Sequence, residues 1–389
     1  MKWLISAGET SGDIHGSLLM SEIAARDPQA EFQFLGGEAM ERVAGHKSLI
    51  PLERLAYMGF SEVLRHLGDI RRNFAEVERA LDSFRPDAVV CVDYPGFNLK
   101  LARKARRRNI AVFYYIAPKV WAWKEWRVPA MRRDITRLYS ILPFEPEWFG
   151  KRGVETSYVG NPSVEEVDAR LAASPSHDDF CRTHSLDSSA KLLALVPGSR
   201  VGEIRCNLPV MAEVARRMQP EMTPVIAVAP ALDRSLYLRY GGEGIAMVEG
   251  DTLRLMQHAG MSGGAALVTS GTATLEAALA NTPQVVCYRA NGSALSYKIM
   301  RRLIKVDYVS LPNLITGRNI IPEMLLHNCT PDLVERELRL IVGDTPARKA
   351  QLEDYHEMRR LLAPQLHAAQ TAASDMVTRI KALKESAVK

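Results

Sequence analysis

No stretch of this chain is apolar for long enough to cross a membrane. The longest run free of Asp, Glu, Lys and Arg, residues 255–275, is broken by Gly, Ser and Thr. No transmembrane helix is expected, and any membrane contact should be peripheral. Glu9 and Asp13 interrupt the start too early for a secretory signal peptide. Cysteine is scarce: Cys91, Cys181, Cys206, Cys287 and Cys329 are scattered, odd in number and form no CxxC. That argues against a disulfide framework and reads as reduced, mostly buried thiols of a cytoplasmic protein. No GxGxxG follows the first apolar strand, which speaks against a nicotinamide enzyme. There is no GxxxxGK[ST], so no P-loop, and no HExxH, DxD or clustered Cys/His set, so neither a metal nor a cofactor is expected. Gly260-Met261-Ser262-Gly263-Gly264 matches a nucleophile elbow as a string. It precedes a strand where an elbow must follow one.

What is present is globular. The 389 residues are 47% hydrophobic and 24% charged, a composition and length that suggest two domains. The net charge of +5 is unevenly placed: residues 100–137 hold twelve Lys/Arg against Glu125 and Asp134. Such a patch suits an anionic partner, whether nucleic acid, nucleotide phosphate or acidic lipid headgroup. No nucleic-acid-binding module accompanies it, so nucleic acid is set aside.

One stretch organises the rest: Val268-Thr269-Ser270-Gly271-Thr272-Ala273-Thr274-Leu275-Glu276. A buried strand, 265–268, turns through small hydroxyl-bearing residues into a helix over 273–280. Backbone N–H groups at the positive end of a helix make a site for phosphate. The plainer alternative is N-capping by Ser270 or Thr272. Glu276 lies four residues after Thr272, whereas a capping box needs three. Its carboxylate is free for ribose hydroxyls.

The same strand–turn–helix plan opens the chain. Residues 3–7 form a strand, Gly8-Glu9-Thr10-Ser11-Gly12-Asp13 the turn, and a helix begins near Ile14. Thr10 and Asp13 fit a capping box. Glu9 does not, and it sits where α/β sheets bind ligands. Strands follow at 32–35, 48–50, 88–92, 110–116 and 138–142. The 88–92 strand ends in Asp93-Tyr94-Pro95-Gly96-Phe97-Asn98, with the next helix starting near Asn98. Asp93 is either a carboxylate at the tip of a buried strand or a helix-capping aspartate. Trp121 and Trp123, beside Pro118, must pack or line a pocket. Between Tyr57 and Phe74, apolar residues at helical spacing are flanked by Arg65, Arg71 and Arg72. They read as a helix on the core or as a surface that meets lipid.

Residues 174–189 are polar and read as a surface excursion near the domain boundary. A second α/β pattern then begins: strands at 192–196, 224–229, 245–248, 265–268 and 284–288, a loop at 308–314, then charged helices. The alternation argues two parallel sheets with helices on both faces, and the cleft between two such halves is the expected site. Pro197-Gly198-Ser199-Arg200 and Ser270-Gly271-Thr272 are the phosphate-friendly elements, with Arg200 able to pair with a diphosphate. Asp93 and Glu9 are the general-base candidates. A diphosphate-leaving donor and a base describe a nucleotide-sugar transferase.

The motifs at 8–13, 93–98, 120–123, 197–200, 270–276 and Tyr308-Val309-Ser310-Leu311-Pro312-Asn313-Leu314 occur in an order that closely resembles the lipid-A-disaccharide synthase family. The resemblance covers residues 1 to about 345. It implies a GT-B fold: two Rossmann-like domains with parallel sheets facing a central cleft, and a C-terminal helix returning to the first domain. Residues 1–162 with 365–389 would bind the acceptor, and 163–364 the UDP-sugar. The implied activity is an inverting, metal-independent hexosyl transfer in lipid A biosynthesis of Gram-negative bacteria. UDP-2,3-diacylglucosamine and 2,3-diacylglucosamine 1-phosphate would give the β-1,6-linked disaccharide 1-phosphate and UDP. Asp93 resembles the family's base, with Glu9 beside it. Ser199, Arg200, Ser270, Gly271, Thr272, Glu276 and Asn313 fall on the nucleotide side. Ser11, Asp13, Trp121 and Trp123 fall on the acceptor side. Some relatives carry Asp at the position of Gly96 and Ser at that of Ala117, so Asp93 must act without a second carboxylate there. A cytoplasmic location with peripheral contact to inner-membrane lipid, and compatibility with a homodimer, complete the expectation. UDP-GlcNAc epimerases, the peptidoglycan lipid-linked transferase and a non-catalytic binding protein of the same fold are the alternatives.

Overall fold

The computed structural model describes residues 1–55, 67–289 and 307–388. The chain divides into two compact units, 1–162 with 364–389, and 163–363. Among the described residues the first unit holds a sheet in the order β3-β2-β1-β4-β5-β6-β7. Its strands are β1 Lys2–Ala7, β2 Glu31–Gly36, β3 Ile50–Pro51, β4 Ala88–Val92, β5 Ala111–Tyr115, β6 Arg137–Ser140 and β7 Thr156–Tyr158. The second unit holds β8 Leu192–Val196, β9 Thr223–Val228, β10 Ala246–Glu249, β11 Ala265–Val268, β12 Gln284–Tyr288 and β13 Glu323–Leu325. Its order is β10-β9-β8-β11-β12-β13. Every pairing among the described residues is parallel.

The central strands explain themselves by composition. β4, β8 and β11 are buried along their whole length, as a parallel sheet covered on both faces requires. In each sheet the order reverses beside the first strand. β1 pairs with β2 on one side and β4 on the other, with Ala7 opposite Val92. β8 is likewise flanked by β9 and β11, with Val268 opposite Val196. Connections leave such a point in opposite directions and open a crevice at the strands' carboxyl ends. Glu9 and Asp93 follow β1 and β4; Pro197–Arg200 and Ser270–Thr272 follow β8 and β11.

The C-terminal helix, Ala368–Val388, belongs to the first unit. Its Ala372, Ala373, Met376 and Ile380 are buried in one apolar cluster with Leu19 and Ile23 of the helix Thr10–Arg26. Tyr139 on β6 donates its hydroxyl to Asp375 at 2.8 Å.

Several boundaries differ from the sequence expectation. The first helix begins at Thr10, not near Ile14, and Glu9 is its N-cap with no side-chain cap bond. The helix after β4 begins at Pro95, not Asn98. Proline at the first helical position gives up an N–H that has no partner there anyway. The polar excursion contains a short helix, His177–Thr183, capped by Ser176 through the Asp179 N–H at 3.2 Å. Phe180 in it stacks on His258, ring centroids 4.3 Å apart. The sequence expectation holds no strand at β7 or β13. Residues 57–66 of the amphipathic stretch lie outside the described residues. Phe74, at its far end, stacks on Phe97 at 4.3 Å.

Candidate active site

In the first unit the site is built around Asp93. Its φ is +42°, and that of Tyr94 is +48°. Two successive non-glycine residues in the left-handed region are strained and must be held by their surroundings. The Asp93 carbonyl accepts from Asn98 Nδ2 at 2.8 Å and from the Tyr114 hydroxyl at 2.6 Å. Asn98 is itself fully buried and bonded to Ser6 on β1. Gly8 belongs to the same device, since a Cβ there would lie 2.2 Å from the Tyr94 ring. Burial raises the Asp93 carboxyl above its ordinary range; the Glu9 charge raises it further and Lys119 opposes this. Glu9 is exposed, yet near enough to act on Asp93 electrostatically.

Asp93 lines a cavity of about 260 Å³ together with Lys119, Trp123, Lys124, Arg127 and Glu145. Trp121 and Trp123 divide their roles. Trp121 is buried, and its indole N–H donates to Glu145 at 2.8 Å. Glu145 is fully buried and also accepts from Ser140 Oγ at 2.6 Å. Burial pushes its carboxyl up to about 7, against the two hydrogen bonds. Trp123 is 55% exposed, with Lys124 Nζ 3.5 Å from its ring centroid. Glu145 was not singled out in the sequence. An acid two residues after Pro143 in an apolar segment was its only signal.

Asp13 is engaged elsewhere. It does not form a capping box with Thr10. Its buried carboxylate accepts from the backbone N–H groups of Gly37, Ala39 and Met40 at 2.7, 3.0 and 3.2 Å. It therefore caps the next helix, Glu38–Ala44, with both oxygens engaged by backbone donors. Ser11 is exposed on the first turn of its helix.

In the second unit, Arg200 is the N-cap of the helix Val201–Arg217 and its side chain is 77% exposed. Glu203 folds back over the Pro197–Arg200 turn. It accepts from the Ser199 N–H at 3.0 Å and pairs with the Arg200 guanidinium at 3.3 Å. A carboxylate thus occupies the turn's donors, an acidic group where anion-binding N–H groups converge. The sequence signal was the three-residue spacing from Arg200 to Glu203, the capping-box interval. Asn207, fully buried, ties the two turns together. It donates to Pro197 O at 3.3 Å and Thr269 Oγ1 at 2.7 Å, and accepts from Arg289 N at 2.8 Å.

After β11, neither Ser270 nor Thr272 caps the helix Thr272–Leu279. Gly271 is the N-cap, at φ +151°, with no side-chain cap bond. Only glycine adopts that conformation without strain. Ser270 Oγ instead donates to Val309 O at 3.1 Å. Glu276 is half-buried, and burial raises its carboxyl above the ordinary range, opposed by Arg170 and aided by Glu166.

Asn313 is brought to the same loop, but its side chain is fully buried. Its Oδ1 accepts from Ile320 N and Ile321 N at 2.8 and 3.0 Å. Its Nδ2 donates to Ile321 O and Glu323, both at 2.9 Å. Glu323 on β13 also accepts from Val309 N at 3.1 Å and from Ser310 N and Oγ at 2.9 and 2.6 Å. Asn313 and Glu323 hold the 308–314 loop in place. Glu323 went unrecognised because β13 did.

The family of lipid-A-disaccharide synthetases matches residues 3–377 of the chain. A lipid-A-disaccharide synthase of Myxococcus xanthus is 37% identical over 377 residues, covering 95% of this chain and 96% of that protein. One of Syntrophus aciditrophicus is 36% identical over 385 residues, covering 97% of each. Among solved structures, a UDP-GlcNAc 2-epimerase of Neisseria meningitidis bound to UDP-GlcNAc superposes with a TM-score of 0.61 at 12% identity, covering 98% of this chain and 100% of that one. The glycotransferase of kitacinnamycin gives 0.60 at 15% identity, covering 97% and 98%. These structural likenesses show the fold, which is of the GT-B class. The strained Asp93 turn, the Arg200 turn and the Ser270–Glu276 helix start stand in a sequence related along nearly its whole length to these synthases: the chain belongs to the lipid-A-disaccharide synthase family.

Proposed function

We propose that the protein catalyses an inverting transfer of 2,3-diacylglucosamine from its UDP donor to the 6-hydroxyl of 2,3-diacylglucosamine 1-phosphate, with release of UDP. The first unit takes the acceptor and the second the donor. The reading is carried by Asp93, a carboxylate at the tip of β4, held in a strained turn on the wall of a cavity. A primary alcohol is too weak an acid to ionise unaided, so proton removal must accompany attack on the anomeric carbon. Asp93 accepts that proton. Attack from the face opposite the diphosphate inverts the configuration.

Arg200 and the start of the helix Thr272–Leu279 take the charge of the leaving diphosphate. The helix terminus contributes about 0.3–1 kcal/mol, or about 2 when partly buried. Arg200 is only loosely spent on Glu203, an exposed pair of small worth. Glu276, whose carboxylate has no hydrogen-bond partner among the described residues, accepts the ribose hydroxyls. No divalent ion is needed for this division of labour. The protein acts as a peripheral enzyme of the cytoplasmic membrane face. Exposed Trp123 and Trp126, 55% and 69% accessible, lie beside cationic residues and suit a headgroup region. Among the described residues no helix is long and apolar enough to cross a membrane.

The test is incubation with both acylated glucosamine substrates and mass analysis of the products. A tetraacyl disaccharide 1-phosphate and UDP, formed equally well in EDTA, are expected. UDP release without disaccharide would refute the transfer, and activity lost in EDTA and restored by Mg²⁺ would refute metal independence.

A further inference from the structure

The basic segment between residues 100 and 137 is largely neutralised where it is buried. Lys104 pairs with Glu78, Arg108 with Asp82 at 2.7 Å, and Arg137 with Glu155. Lys124 and Arg127 depart from this pattern. Both are half-buried, both line the Asp93 cavity, and neither forms an ion pair among the described residues. Exposed Lys119 lines the same cavity. Two cations without a carboxylate partner and partly withdrawn from water repel each other. Lys124 registers this: burial lowers its ammonium below the ordinary range, and the Arg127 charge lowers it further.

The cavity's acids do not balance them. Glu145, pushed up to about 7, is only partly charged at neutral pH, which leaves Asp93 against three cations. An anion seated between Lys124 and Arg127 would relieve the repulsion and gain charge-assisted bonds, bidentate for the guanidinium. The position of Arg127 is also informative. It acts electrostatically on the Tyr114 hydroxyl, the group that donates to the Asp93 carbonyl. Arg127 and Asp93 also line the same cavity, so the anion would share it with the base. At about 260 Å³ the cavity falls just below the range of roughly 300–1,000 Å³ usual for a whole drug-sized ligand. It has room for a sugar phosphate and not for the acyl chains attached to it.

We propose that Lys124 and Arg127, assisted by Lys119, form a phosphomonoester subsite that orients a sugar-phosphate acceptor with its free hydroxyl toward Asp93. The proposal rests on the transfer reaction proposed above and assigns the recognition of the acceptor's phosphate. It also accounts for Trp123, whose ring under Lys124 Nζ fixes the ammonium at the cavity wall. A phosphate could alternatively be presented by a membrane headgroup, given the exposed Trp123 and Trp126.

Two measurements on the full chain test the subsite. The first is calorimetric binding of glucosamine 1-phosphate, against glucosamine, to the wild type, Arg127→Ala and Lys124→Met. Wild type should prefer the phosphate, and each variant should lose about 10–100-fold in affinity for it, with Arg127→Lys recovering part. The second is kcat/KM for the acylated acceptor with and without its 1-phosphate. The variants should lose at least ten-fold more on the phosphorylated acceptor, chiefly through KM. Equal losses on both acceptors, or glucosamine 1-phosphate bound no better than glucosamine by the wild type, would overturn the proposal. So would variants that keep phosphate discrimination but lose binding to phosphatidylglycerol vesicles, which would assign the cations to the membrane. If the wild type bound glucosamine 1-phosphate through Arg127 yet formed no disaccharide, the subsite would stand and the transfer reaction would fall.

Discussion

The Tyr114 hydroxyl donates to the backbone carbonyl of Asp93 at 2.6 Å, from the neighbouring strand β5. With Asn98 on the same carbonyl, it fixes the direction in which the Asp93 side chain leaves a backbone at φ +42°. The carboxylate's aim is thus set by a buried hydrogen-bond network rather than by its own rotamer alone. Tyr114→Phe removes one of two donors. It should slow kcat on the order of ten-fold, by misaligning the base, with KM little changed.

The charge state of Asp93 gives a sharper expectation. Asp93→Asn should cut the rate by about 10²–10⁴ without altering UDP affinity. With Asp93 as the proposed base, the active form is the ionised one, and activity should rise with pH through an acidic limb. Burial and Glu9 raise the carboxyl, so this limb should lie above the ordinary aspartate range near 4. Glu9→Gln removes a raising charge and should move the limb down; Lys119→Met removes a lowering one and should move it up. If Asp93→Asn keeps more than roughly a tenth of the rate while Glu9→Gln is inactive, the base is Glu9.

The sequence made the strand–turn–helix units legible because β4, β8 and β11 are continuous apolar runs, and β1 nearly so, ended by Asp, Pro, Thr and Gly respectively. Placing Glu9, Asp93, Arg200 and Ser270 at strand ends needed no more than that. What could not be read was the destination of polar side chains across long sequence separations. Asp13 looked like a cap for its own helix but reaches residues 37–40. Asn313 looked like a nucleotide contact through its motif, yet it is buried against Glu323 on a three-residue strand too short to announce itself. Glu145 and Asn207 carry no local pattern, because their partners lie on other elements.

Asn313 and Glu323 yield a prediction that separates holding a loop from touching a ligand. Asn313→Ala leaves the backbone N–H groups of Ile320 and Ile321 without their acceptor and Glu323 without one donor. It should lower stability by about 2–4 kcal/mol. UDP affinity should fall only as far as the 308–314 loop is displaced, and Glu323→Gln should reproduce both effects. A large loss of UDP affinity at unchanged thermal stability would show instead that Asn313 contacts the nucleotide directly.

Asp13 should behave as a structural residue. Asp13→Ala strips three backbone N–H groups of their acceptor and should cost about 2–4 kcal/mol. Asp13→Asn, which keeps one good acceptor oxygen, should cost less. In either variant, protein that remains folded should show acceptor KM within about threefold of wild type. A KM effect in stably folded Asp13→Asn would return the residue to the acceptor site.

Glu145 ties stability to pH through the wall of the proposed acceptor site. Its carboxyl is fully buried, accepts from Trp121 Nε1 and Ser140 Oγ, and is pushed from 4.5 up to about 7 by burial. A carboxyl raised in the folded state binds a proton more tightly there than in the unfolded chain. Its favourable contribution is therefore complete below about pH 4.5 and is lost as pH rises through 7. At about 1.36 kcal/mol per unit, the whole change is on the order of 3 kcal/mol. Glu145→Gln keeps the shape and cannot ionise. It should flatten the fall in thermal midpoint between pH 5 and pH 8 by several degrees relative to wild type, at about 2–4 °C per kcal/mol for a unit of this size. Trp121 adds a spectroscopic readout, because its indole N–H faces the titrating group. Its fluorescence should titrate near pH 7 in the wild type and not in the variant. Parallel stability curves together with a pH-independent Trp121 signal would mean that Glu145 stays ionised throughout, with its two hydrogen bonds outweighing burial.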